Sequence, residues 1–125
     1  MQAAPVKKFP GETKRYVRRL KLRDNPELIS EYRLRHSQEK IWPEIIQGIR
    51  DVGILEMEIF ILGTDLVMIM EVPADFDWDK AMARLATLPR QQEWEDYMAL
   101  FQQSEPGSTA DRKWQTMDRM FHLYD

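Results

Sequence analysis

Three patterns in this 125-residue sequence predict an α+β domain in the order βαββαβ. They are an alternating run near the start, two apolar stretches around one tight turn, and helical apolar spacing between and after them. That order is the ferredoxin-like arrangement, with four strands in one sheet and the helices on one of its faces. The length suits one core, so residues 14–125 read as a single domain.

Residues 1–13, with Pro5, Pro10 and Gly11 and no periodicity, are expected to form a mobile arm. Tyr16, Arg18, Leu20 and Leu22 alternate with Val17, Arg19 and Lys21, which marks the first strand. Asp24 or Asn25 can cap a helix whose first residue is Pro26, and Glu27 adds favourable charge at that end. This helix should run to about His36, give way to an irregular Ser37–Lys40 stretch and restart at Pro43. Ile45, Ile46, Ile49 and Val52 then form an apolar stripe that stops at Gly53.

Ile54–Leu62 and Leu66–Val72 flank Gly63-Thr64-Asp65 and read as a β-hairpin. On its first arm Leu55, Met57, Ile59 and Ile61 share one face, and Glu56, Glu58 and Phe60 the other. The two glutamates fit a solvated sheet face or the wall of a polar pocket. Residues 77–88 and 91–101 read as helices interrupted at Pro89, residues 102–112 as a loop, and Lys113–Leu123 as the last strand. Helices on one side leave the other side of the sheet bare. The same face of a second copy would cover it, so a homodimer is expected, with the run from Leu55 to Ile61 as its apolar contribution.

Composition excludes several classes. Hydrophobic content of 43% and charged content of 31% are ordinary for a globular chain, and the net charge of −3 gives nucleic acid no attraction. The basic group Lys14, Arg15, Arg18, Arg19, Lys21 and Arg23 falls on a strand that divides it between two faces, which breaks any nucleic-acid stripe. Without cysteine there is no disulfide framework, redox pair or thiolate metal site, and with no apolar leader after Lys7 and Lys8 the expected compartment is the cytoplasm. No apolar stretch is long enough to span a bilayer, so no membrane role is expected. No phosphate loop, serine elbow, dinucleotide fingerprint or spaced histidine ligands occur, so neither cofactor nor metal is expected.

Chemistry concentrates in Tyr32-Arg33-Leu34-Arg35-His36, followed by Ile41-Trp42-Pro43-Glu44. On a helix Tyr32 and His36 stand at i and i+4, which brings a phenol and an imidazole to one face. His36 and His122 are the only histidines in the chain. His36 is the first candidate for proton transfer near neutral pH, although a histidine at a helix C-terminus is also favoured by the macrodipole alone. Tyr32, Trp42 and Trp94 could equally be core aromatics.

Over Lys14–Leu123 the chain resembles the L-rhamnose mutarotase family of small dimeric α/β-barrel proteins. The resemblance is carried by Glu31-Tyr32-Arg33-Leu34-Arg35-His36, Ile41-Trp42-Pro43-Glu44, Gln92-Glu93-Trp94-Glu95-Asp96-Tyr97-Met98 and the closing Met120-Phe121-His122-Leu123. It implies cofactor-free interconversion of the α and β anomers of an L-6-deoxyhexose. The family's proton donor falls on His36, its sugar-contacting tyrosine on Tyr32, and its tryptophan pair on Trp94 and Glu95, so only the first ring is kept. Another sugar-contacting tyrosine falls near Met57.

L-rhamnose is the expected sugar. L-fucose is the alternative, since Glu95 in place of a ring suits different hydroxyl stereochemistry. In this scheme His36 donates to the ring oxygen and recovers its proton on reclosure, and Tyr32, Glu95, a strand glutamate or water carries the second proton. Trp94 would stack on the C–H side of the pyranose, and His122, on the last strand, is a further substrate-binding candidate. Two other classes share such scaffolds, a dimeric-barrel oxygenase and a non-catalytic sugar-binding dimer.

Overall fold

The structure, a computed structural model, describes residues 2–105 and 107–124. Its elements run β1 (Thr13–Lys21), α1 (Pro26–Arg35), α2 (Pro43–Asp51), β2 (Glu56–Leu62), β3 (Asp65–Pro73), α3 (Trp78–Leu85), α4 (Gln91–Ala99), α5 (Ala110–Lys113) and β4 (Gln115–Met117). The strands form one antiparallel sheet in the order β2-β3-β1-β4, the ferredoxin-like arrangement that the sequence predicts. Residues 2–12 carry no helix or strand.

Local chemistry places the helices. The Asn25 side chain accepts from the backbone N–H groups of Glu27 and Leu28 at 3.0 and 3.2 Å, with Pro26 entering the first turn, so Asn25 rather than Asp24 is the cap of α1. Asp77 caps α3 through Lys80 N–H at 3.2 Å. Helix α2 starts at Pro43 without a side-chain cap, and the chain leaves it through Gly53 at φ 97°, a conformation that favours glycine.

Leu66, Met68, Met70 and Val72 of β3 point to the helices and form the core with Tyr32, Ile45, Leu85, Trp94, Met98 and Phe101. Register assigns the other strands. Met57, Ile59 and Ile61 lie opposite Met70, Met68 and Leu66, so they share the helix-covered face and pack on the core. This corrects the expectation that the run from Leu55 to Ile61 faces a second copy. The open face carries instead Met117, Val17, Ile69 and Glu58 in one row across the sheet and Arg19, Val67 and Phe60 in the next.

The last strand is also corrected, because β4 is three residues long and begins after a helical turn. Lys113 closes that turn, its N–H donating to the Thr109 carbonyl, and its side chain enters the core. Beyond Met117 the register would set Arg119 against Arg15. Like charges directly opposite disfavour pairing, and the chain leaves the sheet there.

Candidate active site

Between the covered sheet face and helices α1, α2 and α4 lies a cavity of about 430 Å³, at the small-molecule end of ligand-pocket sizes. Tyr32, His36, Met57, Trp94 and Glu95 all line it. Ile41, Ile45, Ile49, Ile54 and Met98 supply apolar surface between them.

One helical turn brings Tyr32 and His36 together. The rings of Tyr32 and His36 lie 4.3 Å apart, and the His36 ring meets the edge of Trp94 at 5.4 Å. His36 Nδ1–H donates to the Tyr32 carbonyl at 2.8 Å, which fixes the tautomer and leaves Nε2 as the nitrogen able to exchange a proton. Burial lowers the His36 pKa below the ordinary imidazole value, against the opposing effect of that carbonyl, so the resting ring is neutral near pH 7. The Tyr32 phenol, 3% exposed, accepts from Gln102 Nε2 at 3.1 Å. Burial pushes its pKa up, so it stays a neutral hydroxyl with its own proton to offer.

Trp94 is supported from behind by the Ile41-Trp42-Pro43-Glu44 segment. Trp42 meets its ring edge at 5.1 Å and stacks on Tyr97 at 5.9 Å. The Arg90 guanidinium covers the outer face of Trp42 at 3.8 Å while pairing with Glu44 and Glu93 at 3.3 and 3.1 Å. Trp42 is thus a supporting ring, in line with its reading as a core aromatic.

Glu95 brings a carboxylate into the cavity wall. It is 6% exposed, and its carboxylate accepts from Lys113 Nζ at 3.0 Å on one oxygen and from Gln91 Nε2 at 2.8 Å on the other. Burial raises its pKa, and Lys113 and Gln91 pull it back. Gln91, Gln102 and Lys113 escaped sequence reasoning. Gln91 stands one helical turn before Glu95, a spacing that could have been noticed. Gln102 and Lys113 sit in a stretch read as loop and strand start, where spacing carries no such information.

His122 does not line this cavity. It is exposed in the segment after β4, with its ring 6.3 Å from that of Tyr124, because the strand expected to carry it ends five residues earlier at Met117. Among the described residues no cluster of three or more histidine, aspartate or glutamate side chains could hold a metal ion.

A small antiparallel ferredoxin-like domain that closes a phenol, an imidazole and a buried carboxylate around a sugar-sized cavity has the parts of an acid–base isomerase. The sequence model described as L-rhamnose mutarotase matches residues 15–123, and the chain belongs to that family of carbohydrate anomer-interconverting enzymes. An L-fucose mutarotase from Xanthomonas campestris pv. campestris is 41% identical over 104 residues, 83% of either chain. A UPF0734 protein from Dictyostelium discoideum is 35% identical over 114 residues, covering 88% of this chain and 90% of its own. The crystal structure of an L-rhamnose mutarotase from Formosa agariphila superposes with a TM-score of 0.66 at 25% identity, over 89% of this chain and 99% of that one.

Proposed function

We propose that this mutarotase opens and recloses an L-6-deoxyhexose in the cavity between α1, α4 and the sheet, with His36 as the proton-transfer group. The observation that carries the reading is the anchored imidazole: Nδ1 is committed to the Tyr32 carbonyl and Nε2 is left for the substrate. Neutral Nε2 takes the proton of the anomeric hydroxyl as the bond from C1 to the ring oxygen breaks. The imidazolium then returns a proton to the released ring oxygen, which becomes the C5 hydroxyl of the open-chain aldehyde. Rotation about C1–C2 and the reverse steps give the other anomer. Tyr32 donates a hydrogen bond to the oxygen gaining charge, and the proton transfers by His36 are of the kind that supplies roughly 10²–10⁴ in rate.

Trp94 offers its ring to the C–H face of the pyranose, and Met57 with the isoleucines favours the apolar 6-methyl. L-rhamnose is the first candidate sugar, as the family description suggests. L-fucose is the second, favoured by the 41% identical L-fucose mutarotase and by the carboxylate of Glu95 where the family pattern has a ring. Saturation-transfer NMR on rhamnose, fucose, lyxose and mannose separates these outcomes, and a sugar contacted without anomer exchange would make the protein a binder.

The working form is proposed to be a cytoplasmic homodimer, joined through the open face of the sheet. Val17, Val67, Ile69 and Phe60 on that face support it, as do the exposed Met120, Phe121 and Leu123 beyond β4. The cysteine-free composition supports the compartment.

A further inference from the structure

Lys113 has no part in the proton transfers, yet it places a full positive charge in the interior. Its side chain has no exposure to solvent, which is rare for a lysine unless it is paired. It reaches from the end of α5 to α4, where Nζ donates to the Glu95 carbonyl oxygen and, at 3.0 Å, to the Glu95 carboxylate. Gln91 occupies the other carboxylate oxygen at 2.8 Å. A carboxylate accepts at about four lone-pair positions, and these protein donors use one on each oxygen. The remaining capacity belongs to a side chain that lines the cavity.

We infer that Lys113 is a positioning residue: with Gln91 it holds Glu95 as a fixed carboxylate acceptor in the cavity wall, where it takes a hydrogen bond from a sugar hydroxyl. This rests on the proposed sugar site and deepens it. Without Lys113 the buried carboxyl would hold its proton more tightly, and wherever it keeps that proton the wall offers a donor in place of an acceptor. The titratable groups facing Glu95 are Lys113 from α5, Asp96 on its own helix and Tyr32 from α1. His36, Arg50 and Glu56 line the same cavity. Lys113 is the cation that contacts the carboxylate, so its removal is the change Glu95 would feel most.

The test compares wild type with Lys113→Met, Glu95→Gln and the double variant, measuring anomer exchange against sugar concentration across pH by NMR. Loss of a charge-assisted hydrogen bond should raise KM for the preferred sugar about tenfold or more in both single variants, with a smaller change in kcat. The distinguishing result is the pH profile. In Lys113→Met, KM should fall as rising pH ionises Glu95, whereas Glu95→Gln and the double variant should lack that recovery. The double variant should match Glu95→Gln, since Lys113 acts on the sugar only through Glu95. A double variant with KM well above that of Glu95→Gln, or a Lys113→Met profile parallel to wild type, would overturn the inference. The double variant keeps the test open should Lys113→Met alone fail to fold. Absence of exchange by the wild type on every sugar would overturn the mutarotase site itself, and this inference with it.

Discussion

His36 Nδ1–H donates to the carbonyl oxygen of Tyr32, 2.8 Å away and one turn back along α1. That carbonyl lies in the last turn of its helix, so the imidazole caps the helix end and is oriented by it at once. The two readings of His36 open in the sequence, helix-end residue and proton carrier, are therefore compatible in one side chain. Capping uses Nδ1, and Nε2 is left for chemistry.

Replacement of His36 by Asn should separate these roles. The Asn amide can reproduce the Nδ1–H donor to Tyr32, so circular dichroism and thermal unfolding should show a folded protein close to wild type. Nothing then replaces Nε2, and the anomer exchange rate measured by two-dimensional exchange NMR should fall by roughly 10²-fold or more. A folded variant that exchanges anomers at wild-type speed would reduce His36 to a capping residue.

The lowered pKa of His36 gives pH signatures in rate and in stability. If the neutral ring accepts the first proton, as in the proposed reaction, exchange should be level through neutrality and fall on acidification, with its midpoint below the usual value of about 6.5. In stability the sign follows from proton binding. The unfolded imidazole holds its proton more tightly than the native one, so below about pH 6.5 the unfolded chain binds more protons and stability falls as pH is lowered. Denaturant titrations at pH 5 and pH 7.5 should show this loss in wild type and a smaller one in His36→Asn.

The sequence exposed those parts of the fold in which side-chain pattern and backbone chemistry agree. Asn25-Pro26 starts α1, Gly63 turns the hairpin at φ 60°, and Tyr32 with His36 shares a helix face because helical spacing requires it. It was silent where a long-range partner decides. Alternation on β2 shows that Met57, Ile59 and Ile61 share a face but not which face, and only pairing with Met70, Met68 and Leu66 settles that. Strand β4 ends just short of the position where Arg119 would meet Arg15, about a hundred residues away in the chain. Nothing in the spacing of α4 tells that the Glu95 carboxylate meets Lys113, eighteen residues on.

The corrected sheet face changes the expected dimer contact. Ile69 sits between Val17 and Glu58 at the centre of the open face, so Ile69→Lys should place a charge in the middle of the interface while leaving the core untouched. Sedimentation equilibrium of the wild type at micromolar concentration should give twice the chain mass of 14.9 kDa, and the variant should give the monomer mass with its circular dichroism retained. A wild type that sediments as a monomer would remove the dimer. A dimeric Ile69→Lys would move the contact to another surface, with the apolar segment beyond β4 next to be tested.

The Glu95–Lys113 pair also determines how the family's second tryptophan can be restored. Glu95→Trp alone would fill the wall with a ring but leave the Lys113 ammonium buried with its carboxylate partner gone. Breaking a buried pair from one side typically costs about 3–5 kcal/mol, more than a surface helical glutamate could account for. Glu95→Trp with Lys113→Met removes both charges, and apolar replacement of a whole buried pair is often neutral or stabilising. Urea unfolding should therefore rank wild type and the double variant close together and Glu95→Trp well below both. If the double variant folds and shifts the ratio of rhamnose to fucose exchange toward rhamnose, the side chain at position 95 sets the sugar. An unchanged ratio would move discrimination to the Met57 side of the cavity, and equal stability of all three proteins would mean that the ion pair contributes nothing to the fold.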